Sequence, residues 1–318
     1  MEQGTNFGRP HPVEFELAEE LVHLLPNSEM IKFAKNGSTV TTAATKLARA
    51  FTGRKYIAVC ADHAFFSYDD WFIGTTACDA GIPQEIKQLT LTFRYNDIES
   101  LKNLFELYPD QIACVIMEAV TSEDPRSNFL QELEKLTKAQ GAVFIIDEMI
   151  TGFRFDLGGV QKRYGIVPDL TTYGKGIANG YSLAVLAGRK DITERGGLLH
   201  TKERVFLIST THGAETISLA AAQATIKEMR EKQVQKVFWD RGERLRRGLN
   251  ELIEQYGMKA FVRVIGFPPN LSMAFFDQDG SGSLMLKTII LQELIKQKIL
   301  FQGYFAISYS HGDKEIEQ

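Results

Sequence analysis

Val143-Phe144-Ile145-Ile146-Asp147-Glu148-Met149-Ile150-Thr151-Gly152-Phe153-Arg154, followed downstream by Tyr173-Gly174-Lys175-Gly176, is the stretch that decides how this chain is read. An apolar run ending in a carboxylate predicts a buried strand that delivers one charge to its C-terminal edge. A lysine between glycines predicts a loop where a ligand can approach the backbone closely. Strand patterns recur around this core, over Met30 to Ala34, Tyr56 to Cys60, Ile112 to Met117, Ala142 to Ile146, Leu170 to Tyr173 and Leu183 to Ala187. Helical spacing falls between them, over Phe15 to Leu25, Thr41 to Phe51, Asp97 to Tyr108 and Phe129 to Gln140. Such alternation predicts an α/β fold, a mostly parallel sheet covered on both faces, with ligands at the C-terminal ends of strands. Thr39, Glu118, Asp147 and Lys175 all fall near such ends.

A buried carboxylate and a reachable amine in one α/β domain are what pyridoxal phosphate chemistry needs. The amine forms a Schiff base with the aldehyde, and the carboxylate keeps the pyridine nitrogen protonated so that the ring accepts electrons. Taken singly, an Asp after a strand is a loop cap or metal ligand, and Gly-Lys-Gly is a turn with a solvated lysine. Val143 to Glu148 also looks like the magnesium-binding strand of an ATPase. That reading requires a phosphate loop of the form G-x-x-x-x-G-K-[ST], and Gly174-Lys175 is followed by Gly176.

The remaining composition narrows the field. The 318 residues carry a formal charge of -4 and a pI near 5.9, which gives no general attraction to nucleic acid or an anionic membrane. No apolar stretch approaches a membrane span, and Met1 to Pro12 lacks the apolar core of a signal peptide. Three widely spaced cysteines, Cys60, Cys78 and Cys114, fit a reducing, cytoplasmic setting. Six histidines show no zinc-binding spacing. Asp277-Gln278-Asp279-Gly280-Ser281-Gly282 resembles the start of a calcium loop, but Thr288 occupies the twelfth position, where glutamate is required. A turn is the expectation there.

Two hydroxyl-rich turns precede helical segments. Asn36-Gly37-Ser38-Thr39 reads as a plain N-cap or, beside Lys175 and Asp147, as a phosphate site. Ser209-Thr210-Thr211-His212-Gly213 allows the same two readings. His63, just after a strand, is either a ring-stacking residue or a packed loop histidine. Ala214 to Glu254 is largely helical, and its cluster Arg241, Arg244, Arg246 and Arg247 reads as a solvated face ahead of phosphate recognition. After Gly257 the pattern changes to Phe261–Ile265 and Leu271–Phe276 strands, a Leu284–Lys298 helix and a Tyr304–Tyr309 strand. This is a smaller α+β unit. The expected organisation is an N-terminal segment over 1–28, a large cofactor-binding domain over 29–225 and a small C-terminal domain over 226–318.

Ile146 to Arg154 closely resembles the D-E-V-x-T-G-F-R signature of class III pyridoxal phosphate aminotransferases. Val167-Pro168-Asp169-Leu170, followed by Gly174-Lys175, is similar to that family's P-D-(L/I)…G-K segment. Within the family the likeness is greatest to glutamate-1-semialdehyde 2,1-aminomutase and its aminotransferase relatives, supported by Phe7 to Pro10, Ile112 to Glu118 and Tyr309 to Asp313. The resemblance implies the type I fold and pyridoxal 5'-phosphate as cofactor. It implies that Lys175 carries the cofactor and shuttles protons, that Asp147 pairs with the pyridinium nitrogen, and that Met149 packs on one ring face, where the family usually has Val. Gly37, Ser38 and Thr39 would form the phosphate turn, and Glu118 would support Asp147 or the ring hydroxyl region. Thr211 would reach the phosphate from the neighbouring subunit, making a homodimer with shared sites. His63-Ala64-Phe65 stands where the family has its Y-H-G stacking motif, which leaves the stacking partner open. The residues before Gly37 are fewer than the family's, which implies a shortened N-terminal segment. The implied activity is transfer of an amino group from a small-molecule donor to a carbonyl acceptor. Intramolecular amino exchange of the aminomutase type, or a weakly active cofactor-binding partner subunit, are the alternatives.

Overall fold

In the computed structural model, residue 2 and residues 4–63, 65–205 and 211–317 are described. They form two compact units, Met1–Ala119 with Pro125–Glu228, and Val120–Asp124 with Met229–Gln318.

The first unit is built on a 7-stranded sheet. In chain order its main elements are α1 (Pro12–Leu24), β1 (Met30–Ala34), α2 (Gly37–Thr52), β2 (Tyr56–Cys60), β3 (Thr90–Phe93), α3 (Ile98–Leu107), β4 (Ile112–Met117), α4 (Phe129–Ala139), β5 (Val143–Asp147), β6 (Leu170–Tyr173), β7 (Ala184–Gly188) and α5 (Thr216–Glu231). The strands lie in the order β1-β7-β6-β5-β4-β2-β3. β3, β2, β4, β5 and β6 pair in parallel, while β7 runs antiparallel to both β6 and β1. Every residue of β4 and β5 is buried, as expected for central parallel strands covered on both faces. One cover is α2, whose Val40, Ala43, Ala44, Leu47 and Ala48 pack with Ile57, Ile116, Ile145, Leu170 and Leu186 of the sheet. Small alanines on that face let the helix lie close to the strands and bring its N-terminus to their C-terminal edge.

The sequence reading located this sheet except for β3. Thr90-Leu91-Thr92-Phe93 is a four-residue edge strand with a half-polar pattern, which carries little periodic signal. The long charged segment read as largely helical divides at Gln233, which takes the left-handed conformation (φ 49°) without any Gly or Pro to announce it.

The second unit holds α6 (Val234–Gln255), the antiparallel sheet β10-β9-β8 with β8 (Val262–Phe267), β9 (Asn270–Phe275) and β10 (Tyr304–Ala306), and α7 (Leu284–Lys296). Its core gathers Val262, Phe275 and Phe301 with Leu286, Ile290, Leu291 and Leu294 of α7. The arginine cluster on α6 is paired locally. Arg241 donates to the Tyr309 carbonyl, Arg244 meets Asp313 and Glu317, Arg246 meets Glu243, and Arg247 lies 4.0 Å from Glu251. Asp277 to Ser281 forms a turn leading to the Ser283 cap of α7. Among the described residues no group of three or more His, Cys, Asp or Glu side chains is placed to hold a metal ion.

Candidate active site

Strand order, rather than sequence order, assembles the candidate residues. β6, β5, β4 and β2 are consecutive neighbours, so the residues leaving their C-terminal ends form a row: Lys175, Asp147, Glu118 and His63. All lie in the first unit.

Asp147 closes β5 and is 2% exposed. Its Oδ1 accepts the Met149 N–H at 2.8 Å. Burial pushes its carboxyl up to about 6, against the opposing pull of that amide and of the Lys175 charge. Lys175 follows Gly174 on a single turn, is exposed, and holds a left-handed backbone (φ 44°). A side-chained residue in that region carries strain that packing must sustain, and such outliers gather at functional sites. Glu118 is buried, with a carboxyl raised to about 8 by burial and by the Asp147 charge, and lowered in part by Lys175. These mutual charge effects place Asp147, Glu118 and Lys175 in one electrostatic group.

His63 is a packed loop histidine. It is buried, its ring meets Phe66 edge-on and Tyr95 at a tilt, and burial lowers its pKa to about 4. The Glu118 main-chain N–H donates to Nδ1 at 3.1 Å. A main-chain N–H can only donate, so Nδ1 is bare and the neutral ring carries its proton on Nε2. That Nε2 is buried with no partner among the described residues. Asp62, the preceding residue, is held away by Arg94 at 2.7 Å and the Tyr95 amide at 2.8 Å. Ala64 lies outside the described residues.

The start of α2 is capped by Asn36, whose Oδ1 accepts both the Thr39 amide at 3.0 Å and the Thr39 hydroxyl at 3.1 Å. The amides of Gly37 and Ser38, in the helix's first turn, precede any intrahelical acceptor. Ser38 Oγ accepts the Tyr68 amide at 3.1 Å, and Thr41 Oγ1 donates to the Phe66 carbonyl at 2.8 Å. The loop after β2 is thereby fastened to the start of α2. Met149 joins the two sides of the row: its sulfur is the nearest atom to where a Cβ would stand on Gly37 and on Gly174. Thr211 lies on an exposed turn before α5, next to His212, whose ring meets the Asn6 side chain at 3.3 Å. Ser209 and Thr210 of that turn lie outside the described residues.

Glu148 is a residue that the sequence reading passed over. Fully buried, it accepts from the Thr151 hydroxyl and from the Gln161 amide at 3.1 Å, and burial raises it to about 7. Its carboxylate fills the space beside Gly159. The signal was its position as the second acid of the Asp-Glu pair. Asp169 is likewise a pinning residue, accepting the Phe144 amide at 2.8 Å and pairing with Arg189.

The sequence profile described as "Aminotransferase class-III" matches residues 6–280. The chain belongs to the class III aminotransferase family. Glutamate-1-semialdehyde 2,1-aminomutase from Aquifex aeolicus is 32% identical over 277 residues, covering 83% of this chain and 64% of that protein. The chain therefore spans less than two thirds of that relative's length. The protein of the same name from Desulforudis audaxviator is 33% identical, covering all of this chain and 77% of its own. Among solved structures, the FumI protein of Sphingopyxis sp. MTA144 in its PLP internal aldimine form is 25% identical, with a TM-score of 0.86 over 99% of this chain and 74% of that one. The class III chain thus has the type I fold of PLP-dependent transferases.

Proposed function

We propose that this class III chain binds pyridoxal 5'-phosphate at the Lys175 edge and moves an amino group from a small-molecule amino donor to a carbonyl acceptor. The observation that carries this reading is the position of Met149, whose main-chain N–H donates to the Asp147 carboxylate while its sulfur lies against Gly37 at the start of α2 and against Gly174, the residue before the strained Lys175. The donor set fits the cofactor. The first amides of α2 and the positive end of that helix suit a phosphate. Thr39 would join Gly37 and Ser38 there by releasing its hydroxyl from Asn36. Asp147 suits a pyridine nitrogen, the Lys175 amine an aldehyde, and the Met149 thioether one face of an aromatic ring. The unpartnered Nε2–H of His63 and the Glu118 carboxyl supply polar groups beside Asp147.

When bound, the cofactor supplies the electron sink that lets a bond at the amino-bearing carbon break. The chain does the rest. Asp147, ionised, holds a proton on the ring nitrogen. Its burial opposes ionisation alone, so the charge pair is formed as a unit. Lys175 Nζ would hold the cofactor's aldehyde carbon and, as a free amine, would accept a proton and return it. Glu118, which keeps its proton near neutral pH, avoids adding a second anion next to Asp147. Thr211 is proposed to reach the phosphate from the partner subunit, which makes a homodimer with shared sites. Free thiols at Cys60, Cys78 and Cys114 suit a cytoplasmic setting.

The test is direct. The purified protein should hold pyridoxal phosphate with a band in the visible, and borohydride should fix it to Lys175. Peptide mapping that places the reduced adduct on another lysine would overturn the assignment. Intramolecular exchange of the aminomutase type is the second reading, favoured by the names of the curated relatives. A donor screen that includes glutamate-1-semialdehyde, with and without a separate acceptor, separates the two. Sustained product formation by the chain alone excludes a role as a weakly active partner subunit.

A further inference from the structure

Met149 touches more of the catalytic edge than its place beside Asp147 requires. Its sulfur lies 3.1 Å from where a Cβ on Gly37 would stand and 2.6 Å from where a Cβ on Gly174 would stand. The first distance is tight and the second is a clash. Gly37 opens α2, and Gly174 immediately precedes Lys175. Neither needs glycine for its backbone: Gly174 is extended at φ -175°, and Gly37 is not among the glycines with positive φ. Space is a reason at both positions in this chain. One thioether fills the space that side chains at both positions would take. Met149 is 7% exposed, so the sulfur cannot simply swing into solvent without opening the packed edge.

We propose that the Met149 thioether is the spacer that sets the separation between the start of α2 and the Lys175 turn, and is therefore the positioning residue for the lysine. A shorter side chain would leave the two elements with a gap between them, and a larger neighbour would drive them apart. Lys175 sits one residue from the contact, and its left-handed backbone is the conformation that this packing sustains. The inference rests on the pyridoxal phosphate reading for the ligand it positions, but not for the packing itself.

A double-mutant cycle tests it, using Gly174→Ala, Met149→Val and the pair together. Valine lacks the Sδ and Cε atoms that stand nearest the added methyl. In the parent protein, Gly174→Ala should weaken pyridoxal phosphate binding to the cofactor-free form by roughly tenfold or more. It should also move the pH midpoint of the visible band, which reports the seat of the lysine and not general stability. In the Met149→Val background the same change should cost less than about threefold, with the midpoint unmoved. An equal fold-loss in both backgrounds refutes the spacer. Urea midpoints of the four cofactor-free proteins run the same cycle without ligand. If the parent protein binds no pyridoxal phosphate, the cofactor reading fails while the urea cycle still judges the spacer. If Gly174→Ala does not fold, recovery of folding in the pair supports the spacer. If neither folds, Gly37→Ala replaces Gly174→Ala under the same criterion.

Discussion

Glu118 shows how a single residue can tie the candidate site to the stability of the whole chain. Its carboxyl is raised to about 8 in the folded protein from an ordinary value near 4.5, chiefly by burial. Between those two values the folded chain holds a proton that the unfolded chain has lost. Stability therefore falls as pH rises through this range, and the loss is complete above the folded pKa. Glu148, raised to about 7, acts in the same direction. His63 acts oppositely, because its folded pKa is about 4, but only below its ordinary value of 6.5. Above pH 6.5 the carboxyls dominate, joined toward pH 8.5 by the Cys60 and Cys114 thiols, which burial raises to about 12 and which act in the same direction. The urea midpoint of the cofactor-free protein should drop across that window, by on the order of 1–2 kcal/mol in stability for Glu118. Glu118→Gln should flatten most of the drop. A drop of equal size in Glu118→Gln would show that the raised carboxyl lies elsewhere. Asp147, Lys175 and Glu118 could each be placed near a strand end from the sequence, whereas the elevation of the Glu118 carboxyl could not. Its burial and its nearness to Asp147 come from the pairing of β4 with β5.

At the scale of elements, α2 is the one whose end matters most. Asn36 satisfies the Thr39 amide and hydroxyl together, leaving the first two amides of the helix for an anion. Asn36→Ala should cost about 1 kcal/mol of stability. It should also loosen pyridoxal phosphate, because the frayed first turn no longer presents its amides together. Asn36→Ser should recover most of both losses. Urea melts and cofactor titrations of the two variants check this, and a stable, tightly binding Asn36→Ala protein would remove α2 from the phosphate site. The Asn-Gly-Ser-Thr turn was legible because an Asx cap before an alanine-rich amphipathic run is a local signal. β3 and the break at Gln233 were not legible. An edge strand gains its structure from its partner, here β2, and a left-handed residue between two helices is imposed by how the flanking segments pack.

For the whole molecule, the proposed homodimer makes a prediction that no single chain can satisfy. If Thr211 serves the partner's site, Thr211→Ala should weaken cofactor binding by the equivalent of about 1.5–3 kcal/mol, the contribution of a hydrogen bond to a charged group. Lys175→Ala should abolish activity. Mixed dimers of the two variants would place both defects in one site and leave the other intact, so the mixture should regain activity that neither parent has in full. A strictly monomeric protein with full activity, or a mixture without recovery, would refute the shared site. The sequence by itself determined the α/β class, the strand that ends in Asp147, the exposed lysine turn and the family, because these are written in short-range periodicity and contiguous motifs. Only the tertiary structure decided that His63 is a buried donor held by the Glu118 amide, that Asp62 is drawn away by Arg94, that the arginines of α6 are paired, and that Met149 bridges Gly37 and Gly174. The physical reason is strand order. β2, β4, β5 and β6 become neighbours through long-range pairing, and the energies that hold residues at their ends depend on distances and burial that exist only once the sheet is assembled.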